Sequence, residues 1–300
     1  MNKQSELRKM RYLTLRNIKL YFKDKMTFLV SLITPLILLV LFIAFLKSTY
    51  EDSILSIIQG FDLDQSLIDA LTGGWLFSSV LATSCITIAF CSGMMVIDKI
   101  NRANIDFMVS PVKKSTLQLS YVLANLFSTF IITFVLLIVG LIYLACVGFY
   151  ITFVDILLIV FGIIITSLFG TILANIIWTF THSQGVVSGV CTLVSALYGF
   201  ICGAYMPIST MGQGMQYFVS LLPGTYATVL FRQGFLNSVL NRMRETLPQG
   251  MINGIASGLD VKMSFFGHDV STLALILVIS ISTIVLLGVF LFINKFKKKN

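Results

Sequence analysis

The chain has 300 residues, of which 57% are apolar and only 11% charged, with a formal net charge of +8. Soluble domains carry roughly a quarter charged residues, so a water-soluble fold is excluded. Several apolar runs exceed the roughly 20 residues that cross a bilayer, and they are continuous rather than alternating, which points to a helical bundle and not a β-barrel. Cys85, Cys91, Cys146, Cys191 and Cys202 all fall inside apolar runs with no metal-ligand spacing. They read as small buried helix residues, without a disulfide framework.

Residues 1–25 form an amphipathic pattern. Leu7, Met10, Thr14, Ile18, Tyr21 and Phe22 share one side of a helical wheel, with Arg8, Lys9, Arg16, Lys19 and Lys23 opposite. Such a helix lies in the headgroup plane with its cations toward anionic lipid, an elbow leading into the first span. The first span, 27–46, has full spanning length, longer than a signal-peptide core, and is expected to be retained. Pro35 inside it predicts a kink. Lys47–Gly74 carries Glu51, Asp52, Asp62, Asp64 and Asp69 and reads as a solvated acidic loop; it lacks the glycine and closing glutamate of a calcium loop. The second span is 74–97.

A polar island follows at 98–116, holding Asp98, Lys99, Arg102, Asp106, Lys113 and Lys114 around a Ser110-Pro111 break. Spans three and four, 117–145 and 155–181, form a tight helical hairpin. Gly162, Thr166, Gly170 and Ala174 recur at every fourth position of span four and predict a close helix contact. Span five is 186–206, with Ser188, Thr192, Ser195, Gly199 and Cys202 on one face, either for packing or as part of a polar path. Pro207–Phe231 is apolar but broken by Pro207, Gly212, Gly214, Pro223 and Gly224, which fits a re-entrant or interfacial segment. Arg232–Asp269 reads as a long hydrophilic loop with two amphipathic faces. Span six is 270–293, and the chain ends KFKKKN.

Charge sets the expected orientation. The N-terminal segment, the island, the turn at Thr181 and the C-terminus hold sixteen cations, and the remaining loops hold five. Six spans then place both termini and the island in the cytoplasm. No span has an ionisable residue at its middle, which disfavours a proton- or ion-coupled carrier. There is no GxxxxGK[ST] and no HExxH, GxSxG or embedded carboxylate pair, so a membrane enzyme is poorly supported. The N-terminal cations run straight into a span, which sets nucleic acid aside as a partner. Uphill transport would need energy from another subunit, and the island is the obvious docking point.

The basic elbow, six spans and a loop reading DKINRANIDFMVSPV together resemble the ABC-2 type permeases, the membrane subunits of ABC exporters. In that family the loop is the coupling helix seated in a cleft of the ATPase. The resemblance assigns this role to Asp98, Lys99, Arg102, Asn104, Asp106, Val109, Ser110 and Pro111. A second likeness follows span five, in Gly203-Ala204-Tyr205-Met206-Pro207-Ile208 and Leu221-Leu222-Pro223-Gly224-Thr225-Tyr226. It implies a re-entrant hairpin marked by Pro207, Pro223 and Tyr226. Leu222 and Ala103-Asn104 depart from the usual letters. The resemblance further implies a single transmembrane domain over 1–300 and an all-α polytopic fold. It implies a second permease subunit, and an ABC ATPase that holds the ATP and magnesium, none of it on this chain. It also implies a path lined from spans two and five, here Ser84, Thr87, Ser195 and Tyr198. The expected function is outward movement of an amphipathic or apolar cargo (a drug, antimicrobial peptide or lipid-like molecule) across a bacterial inner membrane. Rivals are an exporter of lipid-linked polysaccharide and a membrane sensor that signals through its ATPase without net transport.

Overall fold

The computed structural model describes residues 3–296 apart from 59, 60, 62, 111, 266 and 267. Helix α1 (Lys3–Lys23) contains neither glycine nor proline and stops where Asp24 caps the next helix, accepting from the Thr27 amide at 3.1 Å. Helix α2 (Lys25–Leu41) passes through one π turn, Phe42–Leu46, directly into α3 (Lys47–Ile57). The chain therefore does not leave span one into an acidic loop. The helix continues beyond the apolar run, because Lys47 reaches Glu51 at 3.4 Å and Asp69 at 3.0 Å and Ile54 is buried. Asp62 lies outside the described residues.

Helix α4 (Gln65–Cys91) is capped by Asp64 and begins well before the expected Gly74. Ser92 and Gly93 break it from α5 (Met94–Ile100), and α6 (Ala103–Val109) follows a sharp corner. Then come α7 (Lys114–Val147) and α8 (Phe153–Phe180), the latter opened by a reciprocal cap between Thr152 and Asp155. Helix α9 (Gln184–Ile201) leads through a 3-10 turn, Ile208–Thr210, into α10 (Gln213–Ser220) and α11 (Pro223–Met243). Helix α12 (Gln249–Gly258), a two-stranded antiparallel ladder of β1 (Ser264–Phe265) and β2 (His268–Asp269), and α13 (Thr272–Phe296) complete the chain. Among the described residues, six helices are long and apolar enough to cross a membrane, one for each expected span. The protein is an all-α polytopic membrane protein.

The bundle is built around α4. Every residue from Ala70 to Val96 is buried, enclosed by α2, α7, α8, α9 and α11. The four-residue stripe on α8 is a packing face. A Cβ at Gly170 would stand 2.9 Å from the Cys85 carbonyl oxygen of α4, so only glycine lets these backbones meet. Thr166 and Ala174 are buried on the same face. The outer faces of α7 (Phe127, Ile131, Val135, Ile138) and α13 (Leu277, Ile281, Ile284, Phe292) are exposed and apolar, as a lipid-facing surface requires.

Two expectations are corrected. First, the chain from Pro223 to Met243 is one helix, not a broken segment followed by a hydrophilic loop from Arg232. Apart from Pro223, Asn237, Ser238, Asn241 and Arg242, its residues are buried. Its contacts climb α8 in order: Tyr226 clusters with Ile165, Phe231 meets Gly162, Gly234 meets Ile159, and the Ser238 hydroxyl donates to Asp155. Ile165 is about 18 Å along α8 from Phe153, so the α10–α11 turn reaches deep into the bundle. Arg232 is tolerated inside because it is paired, a property a window of hydropathy does not register. Second, Cys91 of α4 and Cys191 of α9 form a disulfide with 5.4 Å between their Cα atoms. The two cysteines are 100 positions apart, a proximity that spacing does not reveal. Cys85 and Cys202 are free and buried, and Cys146 is free and exposed.

Candidate functional site

The helices sort the polar residues to two ends. One end is basic and collects α1, α5, α6, the start of α7 and the finish of α8. Glu6 of α1 accepts from Thr116 of α7 at 2.7 Å there, which together with Lys9 holds its carboxyl below the usual range. At the opposite end lie α3, α12, the β ladder and the start of α8.

At the basic end, Asp98 is 4% exposed. A carboxylate so placed needs partners, and it has three donors. Arg16 of α1 donates to both its oxygens at 2.7 and 3.0 Å, and the Tyr121 hydroxyl of α7 donates at 2.6 Å. Lys99 beside it is also taken inward. Its Nζ donates to the Trp178, Thr179 and Thr181 carbonyls at 2.7, 3.2 and 3.1 Å. Those are the last, otherwise orphaned carbonyls of α8, where a cation also meets the negative end of the helix dipole. Asp98 and Lys99 thus clamp α5 to α1, α7 and α8.

The next turn faces outward. Arg102 adopts the left-handed conformation with φ 59°, uncommon for a side chain of its size, and makes the corner between α5 and α6. Arg102, Ile105, Asp106 and Val109 are exposed, Val109 by 83%. Phe107 turns inward beneath the Arg16 guanidinium, 5.2 Å from its ring centre. The Ser110 hydroxyl closes α6 by donating to the Phe107 carbonyl at 2.8 Å. Asn104 lies within α6, and Pro111 lies outside the described residues. Among these positions Asp98 and Lys99 are inward clamps, and Arg102, Asp106 and Val109 stand on an outward ridge. Arg16 and Tyr121 were missed by sequence reasoning. The available signal was that an acid abutting a membrane span needs a cation on a neighbouring element.

Of the four expected path residues, Ser84 and Thr87 are wholly enclosed on α4, while Ser195 and Tyr198 are half-buried on α9. The hydroxyls of Ser84, Thr87 and Tyr198 are buried and without a hydrogen-bond partner. Pro207 precedes the 3-10 turn, and Pro223 opens α11 inside the bundle. The Tyr226 hydroxyl donates to the Ser220 carbonyl at 2.9 Å and Thr225 Oγ1 to the Val219 carbonyl at 2.7 Å, fastening the α10–α11 turn. Arg232, fully buried, donates to Asp260 at 3.0 Å and to the Gly203 carbonyl, with its guanidinium 5.1 Å from the Trp75 ring centre of α4. Asp260 also accepts from the Ile208 and Ser209 amides. Among the described residues no group of three His, Cys, Asp or Glu side chains could hold a metal.

A helical bundle whose polar handle is fixed to its core on one side and bare on the other has the form of a membrane subunit moved by a partner. The profile of the ABC-2 type transporter family matches residues 8–236, and the chain belongs to that family. It is a multi-pass permease component of an ABC transporter, of a family that pairs with an ABC ATPase and keeps ATP hydrolysis on separate subunits. The match ends inside α11, so α12, the β ladder and α13 lie beyond it. No curated protein and no solved structure matches the chain.

Proposed function

We propose that the chain is the permease of an ABC exporter that moves an amphipathic or apolar cargo outward across a bacterial inner membrane. ATP and magnesium are held by the separate ATPase. The observation that carries this reading is the split of the island between clamps and ridge. Arg102, Ile105, Asp106 and Val109 offer an uncommitted surface for the ATPase, and Asp98 and Lys99 pass any displacement to α1, α7 and α8. The cation bias supports a cytoplasmic location for the basic end. Movement there is carried by the rigid helices toward the other end, where α10 and α11 form the re-entrant element. Ser84 and Thr87 join the path only when the part of α9 beyond its Cys91–Cys191 link, toward Tyr198, swings off α4; their unpartnered hydroxyls favour a seam that hydrates on opening. A second permease packs on α9, whose outer face carries Gly185, Gly189, Thr192 and Ala196.

The test is co-purification of the solubilised permease with its ATPase, comparing the wild type with Arg102→Glu plus Asp106→Arg. The variant is expected to stay folded and to lose the ATPase. Equal retention by both proteins overturns the reading.

A further inference from the structure

At the end opposite the island, a cavity of about 310 Å³ opens between α10, α11, α12 and the β ladder. Its size is at the lower end of the range for small-ligand sites. Ile208, Val229 and Met263 supply apolar wall. Asp260 also borders it, but this carboxylate is committed to Arg232 and to two backbone amides. The charges left for a ligand are those of Lys262 and Asp269, both exposed.

Their placement follows from the ladder. Ser264 pairs with Asp269, and the Val270 amide donates to the Met263 carbonyl at 2.9 Å, extending the register by one. Lys262 lies two positions before β1 and Asp269 closes β2, and both border the cavity. No ion pair joins them, and the Lys262 ammonium donates to the Asn253 side-chain oxygen at a long 3.4 Å. A cation and an anion are thus held at a separation that neither closes. Ser209 and Ser257 add polar wall between them, as does the amide of Gln216, whose nitrogen donates to the Met211 carbonyl at 2.7 Å.

We propose that this cavity binds a zwitterion in which a primary ammonium stands a few ångströms from an anionic group. Lys262 takes the anion and Asp269 the ammonium. The neighbouring surface favours a phospholipid headgroup as the source. Gln216 reaches the cavity from α10, and Met215, Tyr217, Phe218 and Leu221 of the same hairpin arm are exposed beside it. Acyl chains can lie there while the headgroup enters the cavity. Asp269 selects a primary ammonium over a trimethylated one, because only the former donates hydrogen bonds. The site does not depend on the ATPase reading.

The full chain is reconstituted in an equal mixture of phosphatidylethanolamine, phosphatidylcholine and phosphatidylglycerol, then extracted, and retained lipid is measured by native mass spectrometry. Free phosphoethanolamine binding is measured in parallel by calorimetry. The wild type is expected to enrich phosphatidylethanolamine, and Lys262→Gln or Asp269→Asn to lower the enrichment about tenfold. Both side chains are exposed, so these variants keep the wild-type melting temperature. Binding of free phosphoethanolamine with the same dependence on Lys262 and Asp269, but without lipid enrichment, supports the site and assigns it to a soluble zwitterion. Equal retention of all three lipids with no phosphoethanolamine binding overturns the proposal, as does enrichment unchanged in both variants.

Discussion

Arg16 of α1 and Asp98 of α5 are joined by two hydrogen bonds, at 2.7 and 3.0 Å, across 82 positions of sequence. The pair ties the amphipathic N-terminal helix to the base of the polar island, so neither moves without the other. Arg16→Ala leaves Asp98 buried with the Tyr121 hydroxyl as its remaining side-chain donor. It should cost about 2–3 kcal/mol, read as a lower melting temperature in detergent. Arg16→Lys should recover only part of that, since an ammonium cannot grip both oxygens in the plane of the carboxylate. If the clamp transmits motion, both variants also lose cargo-stimulated ATPase activity while still binding the ATPase.

The ion pair of Arg232 and Asp260 makes a second, independent prediction. Arg232→Met strands a buried carboxylate and should destabilise by about 3–5 kcal/mol. Asp260→Asn should be milder. Its one side-chain oxygen, set where Oδ2 stands, still accepts from the Ile208 amide and from Arg232, while the bond from the Ser209 amide is lost; asparagine also tolerates the φ of 49° found at this position. Chemical or thermal unfolding followed by the Trp75 fluorescence near Arg232 distinguishes the two.

Gly170 and Gly189 should respond unequally to the same change. Gly170→Ala places a methyl group 2.9 Å from a backbone oxygen of α4, and a displacement of α8 costs about 1–3 kcal/mol. Nothing lies within 4 Å of a Cβ at Gly189, so Gly189→Ala should be within about 0.5 kcal/mol of wild type. If a second permease packs on this face of α9, Gly189→Leu leaves the melting temperature of the single subunit intact and weakens pairing in cross-linking or size-exclusion measurements.

At the opposite end, burial and the neighbouring Asp69 carboxylate raise the pKa of Glu51 above the ordinary carboxylate range, with Lys47 acting against them. The folded protein then holds this proton more tightly than the unfolded chain. The associated stability is present at low pH and is lost as pH rises through the raised value. Glu51→Gln removes that loss. Its melting temperature relative to wild type should be higher at pH 7 than at pH 4, with a total effect no larger than about 1 kcal/mol for so accessible a pair. A pH-independent difference contradicts this.

The unevenness in what was legible has a physical cause. The spans of α2, α7, α8 and α13 were plain because a bilayer demands a long apolar run whatever surrounds it. The stripe of Gly162, Thr166, Gly170 and Ala174 was plain as a packing face because a helix repeats its geometry every turn. The island stood out because its charges interrupt that pattern. Nothing in the local pattern separated Asp98 and Lys99, which turn inward, from Arg102 and Asp106, which turn outward.

Sequence by itself determined a polytopic helical bundle, its six spans, its bias of cations to one end and its likeness to the ABC-2 permeases. The bundle, the spans and the charge bias follow from interactions of each segment with lipid or water, which composition and periodicity record; the likeness rests on the letters of short motifs. Only the tertiary structure decided that Arg232 belongs inside a buried helix and that Asp98 belongs to Arg16 and Tyr121. It alone joined Cys91 to Cys191 and set Lys262 and Asp269 along one cavity. Each of these is a pairing between distant residues, and the stability of a buried polar group depends on the partner that packing brings to it.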